Sequence, residues 1–409
     1  MSPPPATDRA LRWLFGIQLL SMGAMEMSGP FWPLHLGTMA TMSPQQLAWA
    51  SGAVYAGPMI MAMCLTPLWG RLADRRGHKP MLLRALLALA ATQLWVALAD
   101  SIASLILARL VQGALAGFIA ASQAYGATLV AREGRSRLMA RLQVSTALGS
   151  IIGPLAGGLL FDHVGFGALN LAAALVCTSC AFMALVALPV VPAQLPQLPG
   201  PRSGGTAVSA LPSAWAGLLV AIMLMQAGKM TPQVFFGVYA EQVLQVPGWI
   251  TGLCYGATAL GILVGAPYWG KRFEARADRH VLANAEAVTW ACAAIVMVQA
   301  LSSDLKLFLA MRFLWGICLG ALLPVFYALL SRQAPADQQG RALGWGNSAA
   351  KAGALAGFAI GSAALAWLPP ANLFWPVVAT YVIAAIGLRF LRHAQRSGHS
   401  RFFNQPESQ

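Results

Sequence analysis

Gly70-Arg71-Leu72-Ala73-Asp74-Arg75-Arg76-Gly77-His78-Lys79-Pro80 gathers five cationic or potentially cationic side chains, one carboxylate and two glycines into eleven residues. Apolar stretches long enough to cross a bilayer flank it on both sides. A polar turn this tight between two membrane helices calls for glycine, which takes positive φ and lets backbones approach closely. Its positive charge assigns it to the cytoplasmic side.

Working outward, 58% of the 409 residues are hydrophobic and only 10% are charged, with mean hydropathy +0.63. These values exclude an ordinary soluble domain and predict an all-α, polytopic membrane protein. The net charge of +14 would suit nucleic acid, but its placement argues otherwise. With both termini inside, 22 of the 27 lysines and arginines fall in or beside inner loops and only Lys306 falls in an outer one. That is the positive-inside asymmetry, so the basic charge is a topology signal and no nucleic-acid partner is expected.

A helix needs about 20 apolar residues to cross, and twelve segments meet that criterion. They are 11–34, 47–69, 81–99, 102–126, 139–161, 167–189, 213–236, 249–270, 281–301, 305–330, 342–366 and 372–391. They divide the chain into 1–189, a linker at 190–212 rich in Pro, Gly and Ser, and 213–409. The polar tail Met1–Asp8 runs directly into a span, with no sign of a cleavable signal. Cys64, Cys177, Cys180, Cys254, Cys292 and Cys318 lie in apolar segments without the polar company that metal or redox chemistry needs, and all are read as core residues.

The halves repeat. At an offset of 200, Gly52, Tyr55, Pro67, Trp69 and Gly70 meet Gly252, Tyr255, Pro267, Trp269 and Gly270. At 203, Arg109 and Gly113 meet Arg312 and Gly316; at 204, Gly149, Gly153 and Gly157 meet Gly353, Gly357 and Gly361. On the 70–80 stretch, which follows G-x-L-a-D-r-x-G-r-k with His78 for the usual arginine, the chain resembles the major facilitator superfamily of secondary transporters. The resemblance implies two six-helix bundles related by an axis along the membrane normal, with the substrate at midplane. It also implies a conformational switch involving Gly70, Asp74, Arg75, Gly77 and Lys79, in which the Asp74 carboxylate latches the bundles on the cytoplasmic side.

Two further motifs narrow the branch. Arg109-Leu110-Val111-Gln112-Gly113 resembles the helix-4 motif R-x-x-Q-G of proton-coupled members, implying a proton-coupling role for Arg109. A structural arginine held by carbonyls or by Gln112 is the other reading. Gly149 to Gly158 resembles the G-x-x-x-G-P-x-x-G-G motif of drug:proton exporters, and Gly149, Gly153, Pro154 and Gly157 join the switch on that basis. A packing seam without directional meaning is the alternative.

Glu26 lies mid-span in the first helix, and at an offset of 203 it meets Lys229 in the seventh. The resemblance makes these helices face each other across a central cavity. Glu26 is therefore read as a proton-coupling and substrate-binding group, and Lys229 as its counter-charge or an anchor for a substrate carboxylate; a structural ion pair is the bland alternative. Burial and a nearby lysine act oppositely on a glutamate's proton affinity, so coupling requires the pair to separate or substrate to intervene. Lys351 adds a second cation, and Trp32, Phe235 and Phe236 offer aromatic lining for a bulky, partly apolar compound. Glu286 is read as snorkelling or structural, and His35 as a lesser coupling candidate.

The expectation is thus a proton-coupled exporter of a drug-like or amphipathic small molecule or metabolite, working by alternating access as a monomer in the bacterial inner membrane, with both termini cytoplasmic. Export of an endogenous siderophore or other metallophore, and uptake of a small organic anion or zwitterion by symport, are the alternatives. No cofactor, bound metal or enzymatic activity is expected, and no G-x-x-x-x-G-K-[ST] is present for ATP.

Overall fold

The computed structural model describes residues 5–131, 134–191, 213–274, 278–332, 334 and 338–396. The linker expected at 190–212 lies almost wholly outside them. Among the described residues there are thirteen α-helices and no strand: α1 (Pro5–Glu26), α2 (Trp32–Met39), α3 (Pro44–Arg76), α4 (His78–Ala97), α5 (Ile102–Leu115), α6 (Phe118–Leu129), α7 (Arg135–Ala187), α8 (Ser213–Gln242), α9 (Gly248–Glu274), α10 (Asp278–Leu301), α11 (Leu305–Arg332), α12 (Gln339–Trp367) and α13 (Trp375–Arg396).

Among the described residues, ten segments are long and apolar enough to cross a membrane. The first helix, with Asp8, Arg9, Arg12 and Glu26 in its 22 residues, is not among them. The expected spans 139–161 and 167–189 are one segment, α7, of 53 residues. Straight, it would run about 80 Å through a hydrocarbon layer about 30 Å thick. Instead it breaks at Gly165, whose φ of 79° suits glycine. Along the first span, residues 5–39, Gly149 packs at Leu19 and Phe161 stacks on Phe31, then Phe166 meets Trp32 and Leu188 returns to the groove at Arg9. The segment is therefore a hairpin, and the twelve-span reading is consistent with this inventory.

Other spans are interrupted where the chain dictates. The first stops at Glu26, passes a short 3₁₀ turn at Gly29–Phe31 and resumes as α2, with Pro30 and Pro33 removing backbone donors. The span expected at 102–126 breaks at Gly117, in the left-handed region. At α3, Ser43 and Gln46 form a reciprocal capping box behind Pro44. That helix continues to Arg76, so the 70–80 stretch is no loop. Only Gly77, at φ 88°, separates α3 from α4, while a Cβ at Gly70 would meet nothing within 4 Å.

The chain divides into two compact units, Met1–Thr206 with Gln245–Ala259, and Ala207–Leu244 with Leu260–Gln409. In the first, α1 and α4 pack on the α7 hairpin around Leu14, Leu82, Leu86, Leu89, Tyr125 and Cys177. In the second, α8 lies along α12 and α13, and α10 packs on α11 and α13. Cys64 departs from expectation: it is exposed, while Cys177, Cys180, Cys254 and Cys292 are buried.

Candidate functional site

Small residues set how closely the helices pack. In the first unit, Cβ atoms at Gly149 and Gly153 would meet α1 backbone at Leu19 and Gly23, and one at Gly157 would meet Met27 just beyond that helix. In the second, Gly353, Gly357 and Gly361 press on α8 at Met223, Ala227 and Thr231. Both sides of this contact repeat at an offset of 204. The packing register therefore matches Glu26 with Met230 and Lys229 with Met25. Glu26 and Lys229 stand one residue, about 100° of helix, out of strict repeat.

The other edge of the same helix belongs to α9. Pro154 backs onto Gly252 and Gly158 onto Gly248, with backbone meeting backbone, and Ile151 faces Gly256. Asp162 accepts hydrogen bonds from the N–H groups of Gly248 and Trp249. Asp162 has no sequence signal, Gly158 enters only as the last position of the 149–158 motif, and Gly252 only as the repeat partner of Gly52.

Glu26 closes α1, with its Oε2 over Gly29. It lies within electrostatic range of Tyr55 and Arg109, and Tyr55 also of Tyr255. Tyr55 donates to the Gly29 carbonyl at 2.5 Å. Arg109, on α5, donates to the Val54 carbonyl at 3.1 Å and to Gln112 Oε1. Its guanidinium lies over the Trp32 ring, 4.7 Å from the centroid. The chain thus uses Gln112 as the R-x-x-Q-G spacing allows, and holds the cation by backbone, amide and π-face together. Trp32 is buried beneath it and edge-on to Phe166.

The second unit answers with Arg312, buried over Phe236 at 3.9 Å and near Phe308, Trp315 and Phe374. Phe235 and Phe236 are buried in this aromatic cluster, where Phe235 packs edge-on to Phe374, and not on an open surface. Lys229 is half-buried on α8 and Lys351 exposed on α12. Glu286 forms an ion pair with Arg392 at 3.0 Å, a structural role. His35 stacks on Phe166.

In the 70–80 stretch, Asp74 and Arg75 are exposed on the last turns of α3. Lys79 is buried and donates to the carbonyls of Leu185 (2.8 Å) and Leu188 (2.6 Å), capping the end of α7 within its own unit. A further polar cluster went unforeseen: buried Gln18 donates to Leu142 O and Thr146 Oγ1 and accepts from Ser122. Among the described residues no group of three His, Cys, Asp or Glu is placed to hold a metal.

Two repeats of apolar helices, each holding an arginine against aromatic faces, are the build of a polytopic membrane protein. A profile described as the Major Facilitator Superfamily matches residues 14–298 and 279–407, and the chain belongs to that superfamily. It is 26% identical over 384 residues to the "Staphyloferrin B transporter" of Staphylococcus aureus, spanning 92% of this chain and 91% of the relative. It is 28% identical over 371 residues to the "Multidrug resistance protein MdtG" of Serratia proteamaculans, spanning 89% of each. In fold it is similar to a bacterial homologue of the human lysosomal transporter Spinster, inward-facing and occupied, with TM-score 0.74, 15% identity and coverage of 97% of this chain and 98% of that one. The protein is a membrane transporter of a small molecule and not an enzyme.

Proposed function

We propose that this transporter is a proton-coupled exporter of amphipathic small molecules, working by alternating access as a monomer in the bacterial inner membrane with both termini cytoplasmic. The observation that carries the reading is Glu26 within electrostatic range of Arg109 and Tyr55, at the point where α1 gives way to an irregular turn. Protonating that carboxylate changes its attraction to a fixed cation, so the arrangement that depends on the attraction loses or gains stability. Glu26 is the proton carrier, Arg109 its partner, and Lys229 and Lys351 receive the polar end of the cargo. Trp32 supports Arg109 in the first unit, and Phe236 supports Arg312 in the second, where Phe235 packs on Phe374. The relative named for multidrug resistance and the glycine seam of α7 support export.

A second reading keeps this cycle and makes the cargo an endogenous siderophore. Cationic Lys229 and Lys351 suit a ligand rich in carboxylates, which charge-assisted hydrogen bonds recognise well. The relative named for staphyloferrin B supports it.

The test uses inside-out vesicles with an imposed proton gradient and a pH-sensitive dye. Compound-dependent proton leakage that disappears in Glu26→Gln is the expected result. Leakage that persists in that variant removes Glu26 from coupling and moves the role to Arg109. Accumulation driven by the opposite gradient overturns export in favour of uptake by symport. Cationic dyes and carboxylate siderophores, added separately, divide the two cargo readings.

A further inference from the structure

We infer that the first unit holds an anionic phospholipid in the groove between the start of α1 and the end of α7. The groove measures about 780 Å³ and its walls include Arg9 and Trp13 on one side and Phe182, Met183, Val186 and Pro189 on the other. Among the described residues, Arg9 is the only charged one lining it. The apolar walls reach the surface: Phe182 is 66% exposed and Val186 69%. These two stand four residues apart and so lie one above the other on the helix, forming a strip as an acyl chain requires. Trp13, 38% exposed, supplies the aromatic that favours the headgroup level.

The polar ends of the groove are satisfied from within. The Leu188 carbonyl accepts from Lys79, and the Pro189 carbonyl accepts from Tyr125 at 2.9 Å. Among the described residues no carboxylate lines the walls; Asp8, the neighbour of Arg9 in sequence, is exposed on a different face of α1. One cation beside an otherwise apolar groove fits a phosphate next to acyl chains. In the orientation proposed above, the site opens in the cytoplasmic leaflet, where anionic lipid concentrates.

The full-length protein in detergent is mixed with equal amounts of phosphatidylglycerol and phosphatidylcholine of matched chains, and retained lipid is read by native mass spectrometry. About fivefold preference for phosphatidylglycerol is expected, of the size one basic residue supplies. Arg9→Gln loses the preference, Arg9→Lys keeps it, and Arg12→Gln, outside the groove, keeps it. Phe182→Ser with Val186→Ser lowers retention of both lipids. Equal retention by the wild type overturns the site, as does undiminished preference in Arg9→Gln. Equal loss in Arg12→Gln reduces the effect to diffuse surface charge. Displacement by glycerol phosphate at equal concentration assigns the groove to a soluble phosphate ester and overturns the lipid.

Discussion

The carboxylate of Asp162 accepts two hydrogen bonds from the opening N–H groups of α9, from Gly248 at 2.8 Å and from Trp249 at 2.9 Å. A helix start leaves such donors unpartnered and carries partial positive charge, so a carboxylate brought from a distant segment satisfies both. The N-terminal part of α9 thereby belongs to the first unit, while from Leu260 onward the same helix belongs to the second. Removing the acceptor in Asp162→Ala should cost about 1 kcal/mol at this exposed cap. Amide exchange at Gly248 and Trp249 should then quicken about fivefold, and unchanged exchange would show that the carboxylate does not hold the helix.

Gly252 and Gly70 make a matched pair for testing which glycines the packing demands. A Cβ at Gly252 would strike the backbone of Pro154 and Leu155, which cannot rotate aside, whereas one at Gly70 would meet open space. Gly252→Ala should destabilise by about 1–3 kcal/mol, and Gly70→Ala should be neutral or stabilising by up to about 1 kcal/mol. Thermal melting in detergent measures both. If Gly70→Ala melts normally yet transports poorly, the glycine is needed in another conformation; normal transport removes Gly70 from the switch.

Lys79 is the buried member of the motif stretch. Lys79→Met leaves the Leu185 and Leu188 carbonyls without their donor, at an expected loss of about 1–3 kcal/mol. Because the contact lies inside one unit, a stability loss without altered transport per folded molecule is the expected pattern. Normal stability with failed transport would instead return Lys79 to the switching machinery.

The Glu286–Arg392 ion pair should show strong non-additivity. Breaking a buried pair from one side leaves an uncompensated charge, worth roughly 3–5 kcal/mol when fully buried. With Arg392 partly exposed, about 2 kcal/mol is expected for Arg392→Leu. The double variant Glu286→Leu with Arg392→Leu should recover most of it. Additive melting shifts would show that the two side chains do not act together.

The sequence by itself determined the class. Apolar length and the glycine stretches are local properties: a bilayer accepts only self-satisfied helices, so span count and composition decide the architecture before any packing is known. The R-x-x-Q-G spacing likewise anticipated the bond from Arg109 to Gln112, since both lie on one turn of α5. The tertiary structure alone decided the rest. Asp162 and Gly248 are 86 residues apart, Gln18 finds Ser122 and Thr146 across three helices, and Lys79 turns inward to cap α7. None of these has a signature in its own neighbourhood. Packing also fixed the repeat at 204 for α1 and α8, so that Glu26 and Lys229 are not equivalent positions of the repeat, because helix register is set where backbones touch through glycine. Sequence similarity weighs every matched residue alike, and so cannot tell which of two adjacent offsets the contacts obey.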